Sequence, residues 1–149
     1  MSKNLRILAA CAIAYVGARL IGLPEPYWAL VTAVVVTQPA LGDTLSAGRD
    51  RVIGTLIGAL AGLGVIEAAE RGFSSFPLFW VAMVPLAILT AVKPNLRLCC
   101  VTLIIVVLVP STGPPCARPL ERIVEILLGT LASIIVSAAM PTRKTLQPD

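Results

Sequence analysis

Six stretches of the chain are almost wholly apolar, and each is closed by a proline, a glycine or a small group of charges. They cover residues 5–23, 27–41, 52–69, 77–92, 98–109 and 123–140. None alternates polar and apolar positions as a membrane-barrel strand does, so the pattern predicts helices. A membrane-spanning helix takes roughly 20 mostly apolar residues. The expectation is an all-α, polytopic membrane helix bundle with six transmembrane helices, a single transmembrane domain over 1–149. The first stretch is long for the apolar part of a signal peptide and is followed by further spans, so it reads as an uncleaved helix. Pro24, Glu25 and Pro26 break the chain before Tyr27 and Trp28, an amphipathic pair suited to a membrane surface. A polar loop is expected over 42–51, carrying Asp43, Arg49, Asp50 and Arg51. Lys93-Pro94-Asn95 ends the fourth stretch, Pro110 the fifth, and Pro141 with a basic tail the sixth.

Composition supports this reading. Apolar residues make up 57% of the chain and charged ones 13%, with mean hydropathy +0.90. Soluble domains hold about 45–50% and 25%, so a water-soluble fold and a disordered chain are both excluded. The net charge of +4 is spread over small groups, which argues against a nucleic-acid partner. With a cytoplasmic N-terminus, eight basic residues fall on that side: Lys3, Arg6, Arg49, Arg51, Lys93, Arg97, Arg143 and Lys144. Three fall opposite, Arg71, Arg118 and Arg122, and Arg19 stays within a span. This bias predicts a multi-pass protein with both termini cytoplasmic. Histidine is absent, which removes most zinc and haem schemes. Cys11, Cys99, Cys100 and Cys116 lack a CxxC spacing and read as packing residues. No catalytic set, metal cluster or phosphate-cradling loop is present, so neither an enzyme nor a cofactor is expected.

A shift of 71 residues brings Arg51-Val-Ile-Gly-Thr-Leu-Ile-Gly58 onto Arg122-Ile-Val-Glu125-Ile-Leu-Leu-Gly129. The same shift puts Pro39 on Pro110. Two repeats are therefore expected, over about 5–71 and 76–141. Each holds an odd number of spans, so the two would enter the membrane in opposite directions, as in many secondary transporters. Short, proline-ended segments at matched positions are the best pointer to a substrate path. Here these are the second and fifth, so Thr37, Gln38, Pro39 and Pro110 become candidates.

Gln38 either caps carbonyls freed by Pro39 or touches substrate. Arg49 and Arg51 either set topology or collect anions at the mouth of a pathway. Arg19, Glu67 and Glu125 either form a structural ion pair or include the groups that carry protons. Gly54, Gly58 and Gly62, and Gly129 with Ser133, make small-residue stripes suited to close helix packing or a homodimer seam.

Tyr27-Trp28-Ala-Leu-Val-Thr-Ala-Val-Val-Val-Thr-Gln38-Pro39, joined to Arg51-Val-Ile-Gly54-Thr-Leu-Ile-Gly58-Ala-Leu-Ala-Gly62, resembles the fusaric-acid-resistance (FUSC) and aromatic-acid-exporter family. The resemblance implies a bacterial inner-membrane protein that exports aromatic carboxylic acids, in some members with a periplasmic adaptor protein. Larger members add a cytoplasmic domain and a second membrane module, neither of which is read in this sequence, so a homo-oligomer is expected. The leading expectation is a proton-driven exporter of small aromatic or hydrophobic organic acids embedded in the lipid bilayer. A non-transporting subunit that organises a partner complex and a passive channel are the alternatives.

Overall fold

The structure, a computed structural model, describes residues 3–109 and 117–140. These residues form six α-helices: α1 (Lys3–Ile21), α2 (Tyr27–Val36), α3 (Leu41–Glu70), α4 (Ser75–Val92), α5 (Leu98–Leu108) and α6 (Arg118–Ala139). A 3-10 turn at Pro94–Leu96 leads into α5. Among the described residues there is no strand. α1, α3, α4 and α6 are long and apolar enough to cross a membrane. α2 and α5 have 10 and 11 residues, about 15 Å of helix against a hydrocarbon core of roughly 30 Å. Large apolar side chains stand exposed along the helices, including Leu20, Leu60, Val81 and Val92. Water would penalise such a surface and lipid tails accept it. The protein is an all-α, multi-pass membrane helix bundle.

Two helix boundaries differ from the sequence expectation. The second apolar stretch was expected to run to 41, but α2 stops at Val36 because Pro39 cannot continue it and Thr37 turns extended. The loop expected over 42–51 is helical and forms the first third of α3. Its polar residues are compatible with a helix because they are sorted by face: Thr44, Gly48 and Arg51 are buried and continue the line of Thr55, Gly58 and Gly62. Asp43 in the first turn also suits the positive end of the helix dipole. The expected end of the fifth stretch at Pro110, Cys116, and the tail from Pro141 lie outside the described residues.

α1 and α3 end in the same way. Gly22 N–H donates to Arg19 O and Leu23 N–H to Ala18 O; Gly72 N–H donates to Ala69 O and Phe73 N–H to Ala68 O. This paired closure needs a left-handed residue, and Gly22 and Gly72 have φ of 77° and 97°. Gly22→Ala or Gly72→Ala should each cost about 1 kcal/mol, read as a lower unfolding temperature of the purified protein in detergent.

The described chain forms two compact units. One comprises residues 3–48 and 128–140, the other 49–109 and 117–127. The first is cored by small side chains: Ala10, Ala14 and Ala18 of α1, Ala29 and Ala33 of α2, Ala132 and Val136 of α6. The second is cored by Phe79 and Leu86 of α4 with Cys99 and Leu103 of α5. In it, Gly54, Gly58 and Gly62 of α3 face α5, at Cys99, Thr102 and Val106. In the first unit Gly129 of α6 sits on Ala29 O and Thr32 of α2. In each unit, a glycine of a long helix lets its backbone meet a short helix directly, which is how helices associate closely in lipid.

Candidate functional site

The end of α2 is a junction of hydroxyls and freed carbonyls in the first unit. The last carbonyls of any helix lack intrahelical donors, and Pro39 has no N–H to offer Val35 O. Gln38 Nε2 donates to Val35 O instead, at 3.2 Å. Ala33 O receives the Thr37 N–H and the Thr37 hydroxyl, at 3.1 and 2.7 Å. Ser133 Oγ lies 3.2 Å from both Ala33 O and Thr37 Oγ1 and donates to Gly129 O at 2.9 Å. Thr44 Oγ1 accepts the Gln38 N–H at 3.0 Å and lies 3.3 Å from Ser137 Oγ. Thr37, Thr44, Ser133 and Ser137 are buried. The chain break is thus held by side-chain oxygens where a helix would use its own backbone.

Arg6 completes this junction, and the sequence reading had counted it only as an orienting charge. It is 1% exposed, and its Nη1 donates to Pro39 O at 2.5 Å. A signal for this was present: residues 6, 10, 14 and 18 share one face of α1 at a spacing of four, and the other three are the buried alanines.

The second unit holds an open cleft of about 410 Å³ where α3 meets the turn between α4 and α5. Arg49, Asp50, Lys93 and Asn95 supply its polar groups, and Ile53, Val92, Pro94 and Leu96 its apolar wall. Sequence reading had singled out Arg49 but missed Lys93 and Asn95, which sit 44 and 46 residues further on. Arg51 is not in this cleft. It is buried within α3, one turn before Thr55, whose hydroxyl donates to Arg51 O at 2.8 Å.

Charge is buried a second time on α6, where Arg122 Nη1 lies 2.9 Å from Glu125 Oε2. Arg122 is 4% exposed and Glu125 fully buried. That turn of α6 flanks a small void whose other wall is Val52, Thr55 and Leu56 of α3. Glu67 is exposed, twelve residues and about 18 Å along α3 from Thr55. Arg19 is exposed on α1. Arg6, Arg51 and Arg122, counted as orienting charges, are therefore interior groups. Pro110 lies outside the described residues. Cys11, Cys99 and Cys100 are free thiols, and no group of three metal-ligating side chains occurs among the described residues.

At the start of α2, Trp28 Nε1 donates to Glu25 Oε2 at 2.9 Å, and the Tyr27 and Trp28 rings pack 5.5 Å apart. The chain that carries this pair and the Gln38–Pro39 break is similar to known proteins. It is 41% identical over 59 residues to the uncharacterized transporter YdhK of Escherichia coli K12, covering 40% of this chain and 9% of that protein. The same identity and coverage hold for YdhK of Salmonella typhimurium LT2. The match thus spans less than a tenth of those relatives. The model of the family described as fusaric acid resistance protein-like matches residues 9–136, most of the chain, and the chain accordingly belongs to that family.

Proposed function

We propose that this protein is a membrane transporter that exports small aromatic or hydrophobic organic acids, driven by protons and working as a homo-oligomer. The observation that carries the reading is the cleft of the second unit. Arg49 and Lys93 place two cations, and Asn95 an amide, beside a wall of Ile53, Val92 and Leu96. An aryl carboxylate has the matching form, with one charged end and one apolar face. Asp50 lines the same cleft and tempers its field, so the site favours a monoanion that arrives and leaves readily. Orientation with both termini cytoplasmic, in a bacterial inner membrane, would turn this cleft toward the substrate pool. Glu125, buried within a span, is the carboxylate best placed to carry the coupling proton. The membership of the family and the name of the YdhK relatives support transport as the class of activity.

The test is efflux of labelled hydroxybenzoate from cells with and without the protein, before and after an uncoupler. Uncoupler-sensitive export is expected. In the double variant Arg49→Gln/Lys93→Gln the half-saturating internal concentration should rise roughly tenfold, with membrane insertion unchanged. Export indifferent to the uncoupler would identify a passive channel. The second reading is a membrane subunit that organises a partner complex, a periplasmic adaptor among them. Correct insertion with no export would select it.

A further inference from the structure

We propose that Arg6 is the seat of an oxyanion inside the first unit, held on the Nε–Nη2 edge of its guanidinium. A guanidinium carries its N–H groups in a fixed planar fork, and Nε with Nη2 forms one of its two-donor edges. In this protein the third nitrogen, Nη1, is fixed by Pro39 O. Nε and Nη2 are buried and have no hydrogen-bond partner among the described residues. The edge left over is the one whose parallel N–H groups match the two oxygens of a carboxylate.

Burial makes this arrangement costly without an anion. The side chain is 1% exposed, and a buried cation needs a counter-charge or a full set of acceptors. Among the described residues one backbone carbonyl provides a single acceptor for five donors. Two helix ends meet near Pro39: α2 ends at Val36 with the negative end of its dipole, and α3, 30 residues long, starts at Leu41 with the positive end of its own. Asp43 lies in that first turn but its side chain is exposed, and neither orphan nitrogen of Arg6 is bonded to it. The Pro39 break therefore does two things. It ends α2, and it places Pro39 O where that carbonyl aims the guanidinium and leaves the bidentate edge without an acceptor among the described residues.

A carboxylate is the ligand of choice, and in that choice the inference rests on the organic-acid reading above. A phosphate oxyanion from a lipid headgroup presents the same pair of oxygens. The experiment separates them. The full-length protein, labelled with ¹⁵N-arginine and held in detergent, is titrated with benzoate and, separately, placed in nanodiscs with or without phosphatidylglycerol. The Arg6 Nε–H resonance should move on binding, and calorimetry should show benzoate affinity falling about tenfold or more in Arg6→Lys, which keeps the charge but loses the fork. Arg49→Gln, in the other unit, should leave the Arg6 resonance shift intact. An Arg6 Nε–H resonance that moves with phosphatidylglycerol and not with benzoate keeps the oxyanion seat and overturns the organic-acid ligand. Benzoate binding unchanged in Arg6→Lys, or an Arg6 resonance that no oxyanion moves in the wild-type protein, overturns the seat while leaving the organic-acid reading standing.

Discussion

Gly58→Ala and Gly129→Ala are expected to lower the unfolding temperature and the folded yield of this protein, although alanine is the better helix former. A Cβ at Gly129 would run into Ala29 O and lie 2.8 Å from Thr32 Cβ; at Gly58 it would run into Cys99 O and lie 2.8 Å from Thr102 Cβ. The obstacles are a backbone carbonyl and a β-carbon, and neither can rotate away. The helices must separate instead, which costs about 1–3 kcal/mol and sometimes more, against a propensity gain of at most about 1 kcal/mol. Gly62→Ala should be milder, because no backbone atom stands in its way: its nearest neighbours are Val106 Cγ1 at 2.6 Å and Val106 Cβ at 3.0 Å. Gly64 has nothing within 4 Å among the described residues, so Gly64→Ala should hold or raise the unfolding temperature. Thermal unfolding in one detergent ranks the four variants. Equal effects at Gly58 and Gly64 would mean that α3 does not press on α5 as described.

The helices were largely legible in the sequence because lipid imposes a simple code. Backbone groups must bond within the segment, so every long apolar run becomes a helix. Gly54, Gly58 and Gly62 also announced a packing face through their spacing alone. What hydropathy hid was charge inside the protein. Arg6, Arg51 and Arg122 look like orienting charges to any count that assigns each arginine to water, yet all three are buried. The same habit turned 42–51 into a loop, although Thr44, Gly48, Arg51 and Thr55 keep a helical period across the polar stretch. The cleft was half visible. Arg49 stood out within a charged run, but its union with Lys93 and Asn95 depends on how the α4–α5 turn meets α3, and no local pattern encodes that contact.

The Arg122–Glu125 pair should show the largest single-site effect. Both groups are inside the protein, one turn apart on α6 and 2.9 Å from contact to contact. Arg122→Leu takes that cation away from a fully buried carboxylate, and removal of one member of a buried pair costs about 3–5 kcal/mol. Replacing both members with leucine removes the buried charge along with its partner, so the double variant should recover much of the loss and fall short of the sum of the single ones. A double-mutant cycle on unfolding in detergent measures that recovery, and additive losses would show that the two side chains do not stabilise each other. The same double variant separates structure from transport. If Glu125 carries the coupling proton, the Leu/Leu protein should insert and fold yet export nothing in an uncoupler-sensitive way. Export that stays uncoupler-sensitive in that variant would assign the pair to holding α6 in place and put the proton on another group.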